Sequence, residues 1–155
     1  MADLTVTLTD SVTINGVSRG STNTLTIASI VQTYERVVSC PAGADTTVAT
    51  FQTATSTSDG AIDLEDVKYI RVTNLDDTNP MNLSLQVAGA EGGTANMSAT
   101  ILVSRGQSII LWSVHDGIAL SDANATIVTA LTDLESLLVD PLNENIDVEV
   151  LVASI

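Results

Sequence analysis

Alternation of apolar and polar side chains with a period of two constrains this chain more than any other feature. The clearest stretch is residues 67–87, VKYIRVTNLDDTNPMNLSLQV, in which two alternating runs flank a centre of Asn, Asp, Thr and Pro. Ile70 and Val72 fall on one face of the first run, opposite Tyr69 and Arg71. The pattern predicts two β-strands joined as a hairpin. The residues that share one face of the second run are Met81, Leu83, Leu85 and Val87.

The same pattern recurs towards the start of the chain. In residues 4–14, apolar side chains alternate with threonines, which predicts a half-buried strand. Residues 15–23 follow as a turn and loop cluster, in which Gly16 and Gly20 are expected to supply positive φ angles. A long second run, residues 24–39, ends at Pro41 and Gly43 of the segment CPAGAD.

Later segments repeat this alternation of strand and turn. Residues 46–61 begin as a strand and become a loop rich in Thr and Ser, and residues 89–99 form a glycine-containing loop. Residues 100–114 predict two short strands around Arg105 and Gly106, and residues 146–153 predict a final strand. Strands at such spacings are typical of β-sandwiches and barrels.

One segment, residues 126–138, fits two structures. Its apolar residues follow helical spacing, Asn124 could cap a helix, and Pro141 lies just beyond its end. The adjoining sequence LESLLVDPLNENIDVEV fits a β-hairpin equally well, with PLNEN as the turn. Both interpretations stay open. The apolar residues with helical spacing are Ile127, Ala130, Leu131, Leu134, Leu137 and Leu138.

The chain is therefore expected to be all-β, a single domain over residues 1–155. It should form a two-sheet β-sandwich of about eight strands, with at most one short helix near residues 126–138. A chain of this length can bury a substantial core. The expected core residues are Leu4, Val6, Leu8, Ile27, Ile30, Val37, Phe51, Ile70, Val72, Leu83, Leu85, Ile109, Leu111, Val148, Val150 and Val152.

Charge excludes several classes of partner. Five Lys and Arg residues stand against nineteen Asp and Glu residues, giving a net charge of −14. Nucleic acids are gripped largely by Lys and Arg, and anionic membranes attract basic segments, so we expect neither partner. The first ten residues do not have the form of a signal peptide, and no apolar run is long enough to span a bilayer. Cys40 is the only cysteine and is expected to be buried.

No set of residues predicts catalysis. Ser113, His115 and Asp116 are neighbours, but adjacent residues of a strand point to alternating faces, so they do not predict a catalytic triad. The acidic pairs Glu65–Asp66 and Asp76–Asp77 lack the surrounding aromatics typical of carbohydrate-cleaving sites. We predict that the protein is not an enzyme and has no catalytic or cofactor-binding residues.

Metal binding is also not expected. One His and one Cys cannot supply the three or four ligands that zinc sites use. Calcium could bind the oxygen-rich segments NLDDTN (74–79) and DPLNENID (140–147), but turn-forming Asp and Asn explain both segments and no EF-hand spacing occurs. The glycine-containing segment GAEGGTAN lacks the order of a phosphate-binding loop.

Three segments resemble small structural proteins of tailed bacteriophages, in particular those of marine bacteria and cyanobacteria. They are LTVTLTDSVTINGVSRGSTNT (4–24), YIRVTNLDDTN (69–79) and IDVEVLVAS (146–154). The resemblance implies a β-sandwich of jelly-roll type that assembles in many copies on a virion, after synthesis in the host cytoplasm. No binding residue of that family can be carried over to this chain.

Three functions compete at this stage. The first is a capsid decoration (cement) protein, a homotrimer that binds the major capsid protein and stabilises the phage head by bridging its subunits. The second is a tail, neck or fibre-base adaptor built on the same fold. The third is a carbohydrate- or calcium-binding module.

Overall fold

A computed structural model describes residues 2–53, 60–87, 97–114, 117–120 and 131–155, and the regular elements in these ranges are all β-strands. The all-β prediction is thus confirmed. Within the described ranges, no helix is long and apolar enough to cross a membrane. The strands are β1 (Ala2–Asp10), β2 (Thr13–Ile14), β3 (Val17–Ser18), β4 (Ser21–Ile30), β5 (Gln32–Cys40), β6 (Thr46–Gln52), β7 (Ile62–Asp63), β8 (Val67–Asn74), β9 (Met81–Val87), β10 (Met97–Val103), β11 (Ser108–Trp112), β12 (Ala119–Leu120), β13 (Thr132–Asp140) and β14 (Ile146–Ser154).

Eight of these strands form two facing sheets. One sheet has the order β5-β14-β8-β11, and the other has the order β6-β13-β9-β10, with β7 added beside β6 and β12 beside β13. Among the eight main strands, taken in chain order, every step changes sheet except that from β9 to β10. This order is that of an eight-stranded jelly roll, as expected.

The prediction that residues 67–87 form a hairpin is wrong, because the two strands do not pair with each other. Both strands are present, however, and the side chains predicted to share one face of each strand do so. β8 pairs with β11 and β14, whereas β9 pairs with β10 and β13, so the two strands lie in opposite sheets. The segment between them, residues 75–80, crosses from one sheet to the other as an arch. Ile70 and Val72 face Leu83 and Leu85 across the core, and all four are buried.

The alternative of a helix at residues 126–138 is wrong where the structure describes it. Residues 132–140 form β13, and Leu134, Leu137 and Val139 are buried in the sandwich. Residues 126–130 lie outside the described ranges. PLNEN is a turn and the final strand is present, but β13 and β14 also lie in opposite sheets, so this segment is a second arch and not a hairpin.

The core lies between the sheets and consists mainly of aliphatic side chains from both. Val37 is an exception among the predicted core residues, because it is 55% exposed. Residues 24–39 are two strands in different sheets, broken at Val31, and the alternation restarts there. Val38 and Cys40 therefore face the core, while Val37 pairs with Glu149 on the outer face.

Candidate assembly surface

Residues 2–30 form a two-stranded ribbon outside the sandwich. We call residues 2–30 the ribbon: β1 and β4 pair along their length, and the short strands β2 and β3 pair at its far end. Its base packs on the outer face of the four-stranded sheet and forms a second, smaller apolar cluster. The ribbon contributes Leu4, Val6, Leu25, Ile27 and Ile30, and the sheet contributes Tyr69, Ile110, Leu151 and Ala153.

Tyr69 marks the centre of this contact. It is 4% exposed, and its burial raises the pKa of the phenol, although the nearby Arg71 acts in the opposite direction. Arg71 itself forms an ion pair with Glu149 on the same outer face, with 2.6 Å between Nη2 and Oε2. The ribbon base is thus held by a packed contact, as a permanent part of the fold.

The opposite face of the ribbon carries three cross-strand pairs of threonines. Their partners are Thr5 with Thr26, Thr7 with Thr24 and Thr9 with Thr22, and all six are exposed. The hydroxyls of the last pair lie 3.3 Å apart. Threonine favours β-strands and its hydroxyl remains hydrated, so this face is stable without another element packed on it.

The end of the ribbon leaves the sandwich entirely. We call residues 9–24 the tip, and every residue in it is exposed. Asn15 and Gly16 turn the chain with φ angles of 52° and 77°, as a two-residue hairpin turn requires. Positive φ at Gly16 confirms that prediction. Gly20 has a different role from the predicted one, because a Cβ there would lie 2.2 Å from the carbonyl oxygen of Asp10.

One face of the tip is apolar and carries a cation. Ile14 pairs with Val17, and the amide of Arg19 donates to the carbonyl of Val12 at 2.8 Å, so these four residues alternate onto the same side. Val12, Ile14 and Val17 are 46%, 55% and 53% exposed. Arg19 has no ion-pair partner among the described residues. The four side chains form a compact contact surface that the molecule itself leaves uncovered.

A groove of about 690 Å³ opens at one end of the sandwich, where the two arches after β5 and β8 meet the start of β14. Its floor is apolar, and carboxylates stand around it. The lining residues are Ser39, Cys40, Pro41, Leu75, Asp76, Asp77, Asn145, Ile146 and Asp147. Leu75 is 46% exposed, so part of the apolar floor is open to solvent. We refer to this feature as the end groove.

The carboxylates of the end groove are partly used in building its walls. Asp76 Oδ1 accepts hydrogen bonds from the amides of Asn79 and Thr78, at 2.6 and 2.7 Å, and these bonds lower the pKa of Asp76. Asp147 accepts a hydrogen bond from the hydroxyl of Ser39. Within the described residues, no group of three or more His, Cys, Asp or Glu side chains could hold a metal ion. The Asp residues of segment 74–79 therefore build a turn, as the sequence allowed.

Only some of the other residues considered for chemistry are described by the structure. Ser113 follows β11, whereas His115 and Asp116 lie outside the described residues, as do residues 88–96 of the glycine-containing loop. Glu65 and Asp66 belong to a turn after β7, in which the Asp66 amide donates to the Asp63 carbonyl at 3.2 Å. Cys40 is 1% exposed, as expected, and burial is the main cause that raises the pKa of its thiol.

Comparisons with known proteins found little similarity to this chain. No protein-family model matches the chain, and no curated protein matches it. Among the solved structures that are similar, one has 12% identity and a TM-score of 0.43, over 81% of this chain and 87% of the other. Its title describes Bacillus endospore appendages that form a novel family of disulfide-linked pili.

Proposed function

We propose that the protein is a non-enzymatic structural component of a tailed-bacteriophage virion: a decoration protein that assembles on the capsid as a homotrimer. The observation that supports assembly is the ribbon tip, where sixteen consecutive residues are exposed and three of them are large aliphatic side chains. Apolar patches on a projecting element are characteristic of surfaces that bind other proteins. The virion as the place of assembly rests on the sequence resemblance.

Edge strands support the same proposal. Val37 lies on β5 and Leu102 on β10, each at an edge of its main sheet, and these residues are 55% and 61% exposed. An uncovered edge strand with apolar side chains tends to pair with other chains unless it is protected. The subunits of a capsid shell would cover these edges in an assembled particle.

Charge favours a protein partner over nucleic acid or lipid. The net charge of −14 repels phosphates, and a more basic shell surface would attract it and raise the association rate. The partner in this proposal is the major capsid protein. A homotrimer would place one copy on each of three neighbouring capsid subunits around a local threefold axis.

The proposal is tested on the particle by counting copies. Quantitative mass spectrometry of purified virions should give a ratio of this protein to the major capsid protein near one, because one trimer covers three subunits. A handful of copies per particle would contradict a decoration role. Gold-labelled antibody should mark the head, whereas labelling of the tail alone would favour the tail or neck adaptor.

A further inference from the structure

We propose that the tip of one copy docks into the end groove of a second copy of this chain. This inference rests on the proposed function for its assumption of several copies and names the surfaces that join them. The tip presents Val12, Ile14 and Val17 around Arg19, and the end groove presents an apolar floor beside Asp77 and Asp147. An apolar patch with one cation thus meets an apolar groove with several anions.

Charge argues for this pairing among copies that otherwise repel each other. Each chain has a net charge of −14, but the tip carries one acid, Asp10, and one base, Arg19. The tip is therefore a neutral part of a strongly acidic molecule. A neutral surface can approach an acidic groove with little like-charge repulsion.

Arg19 is also a cation that can serve this contact. Among the five basic residues, Lys68 is 4% exposed and donates to the Glu65 carbonyl, and Arg71 is paired with Glu149. Arg36 and Arg105 are exposed on the sandwich itself. Arg19 alone among the five stands on an element that projects from the sandwich.

A partner of this kind would stabilise the folded conformation of the tip. A two-stranded hairpin that packs on nothing is marginally stable in water. The ribbon base is anchored by its apolar cluster, whereas beyond Leu8 every residue to Thr24 is exposed. Burying Val12, Ile14 and Val17 in a neighbouring groove would remove this exposed apolar surface from water.

The contact joins two different surfaces, so each copy offers one tip and one groove. Such a head-to-tail interface produces a closed ring when the rotation between copies closes, and an open filament when it does not. A ring of three copies would be the homotrimer of the proposed function. The mass of such a ring is three times 16.1 kDa.

Charge exchange between the two surfaces tests the contact. Sedimentation velocity on purified protein over a range of concentrations should show the wild type self-associating. Arg19→Asp and Asp77→Arg should each weaken association by about tenfold or more, because each places like charges together. The double variant Arg19→Asp/Asp77→Arg should regain wild-type association, because every tip then meets a groove of opposite charge.

Arg36→Asp is the matched control, since it makes the same charge change on an exposed arginine of β5 outside the tip and the end groove. It should associate like the wild type, and circular dichroism should show all variants folded. A wild type that stays monomeric at several hundred micromolar would overturn the inference, as would a double variant that fails to regain association. Neither result alters the copy count on virions, so the two proposals fail separately.

Discussion

Two leucines on neighbouring strands give a direct test of the sandwich. Leu83 on β9 is 0% exposed and Leu102 on β10 is 61% exposed, although the strands are paired and the residue types are identical. Replacing each by Ala removes the same three carbons from nearly the same place. The structure predicts that the two substitutions differ greatly in their effect on the free energy of unfolding.

The expected loss for Leu83→Ala has two parts. Removing three buried carbons costs about 2.4 kcal/mol at about 0.8 kcal/mol each. A residual cavity of about 50 Å³ adds about 1.2 kcal/mol at about 24 cal/mol per Å³. The total is about 3.6 kcal/mol, within the usual range of about 2–5 for buried Leu→Ala. For Leu102→Ala most of the side chain is already in water and no cavity forms, so we expect about 1 kcal/mol or less.

Urea unfolding followed by far-ultraviolet circular dichroism measures both values by linear extrapolation. The slopes should stay equal across the wild type and the two variants, so that a shift in midpoint reports stability alone. Equal losses for the two variants would refute the facing of β9 and β10. A loss below about 1 kcal/mol for Leu83→Ala would refute the burial of β9 between the sheets.

Three further measurements test individual contacts. A double-mutant cycle that replaces Arg71 and Glu149 by Ala should give a coupling of about 1 kcal/mol that falls with added salt, and zero coupling at low salt would contradict the ion pair. The lowered pKa of Asp76 means that its contribution to stability is present above the unfolded value of about 4 and is lost as the pH falls through the lower folded value. Urea midpoints of wild type and Asp76→Asn should therefore differ at pH 6, and the difference should shrink as the pH is lowered below about 4; a constant difference would contradict this. Cys40 should react with a thiol reagent at pH 8 at least about 100-fold more slowly in the folded protein than in urea, and equal rates would show that it is accessible.

Alternation in the sequence predicted the strands well but not their partners. Residues 67–74 and 81–87 alternate as a hairpin does, yet they lie in opposite sheets because the six residues between them are too many for a tight turn. A tight turn at Asn15 and Gly16 does join two paired strands, β2 and β3, as a true hairpin. Asn-Gly between apolar residues is the strongest short-range hairpin signal. Giving that dipeptide more weight would have predicted the ribbon.

The helical spacing of the apolar residues within β13 has a physical cause in the strand itself. The pairing of β13 with β9 shifts between Leu134 and Ser136, which inserts one residue into the strand. Leu134 and Leu137 then face the core at a spacing of three, as they would on a helix, and Val139 follows at a spacing of two. A period-based prediction cannot distinguish a bulged strand from a short helix.

The candidate assembly surface could not be predicted from the sequence, for a different reason. Val12 and Ile14 continue the alternation of Leu4, Val6 and Leu8, and nothing in the pattern shows where the ribbon stops being covered. Burial depends on which element packs opposite, and the sandwich supports only the base. The groove is likewise formed by arches that are distant in sequence.

The position of β14 governs when the protein can fold during synthesis. It pairs with β5 on one side and β8 on the other, so neither of those strands can form its hydrogen bonds to β14 until β14 has been synthesised. The hydroxyl of Ser39 on β5 can donate its hydrogen bond to Asp147 only after Asp147, 108 residues later, has been synthesised. Pairings this remote are slow to form, and the strands that await them remain available to the wrong partners. We therefore expect the four-stranded sheet to complete only after translation has passed β14, with the nascent chain in need of protection until then.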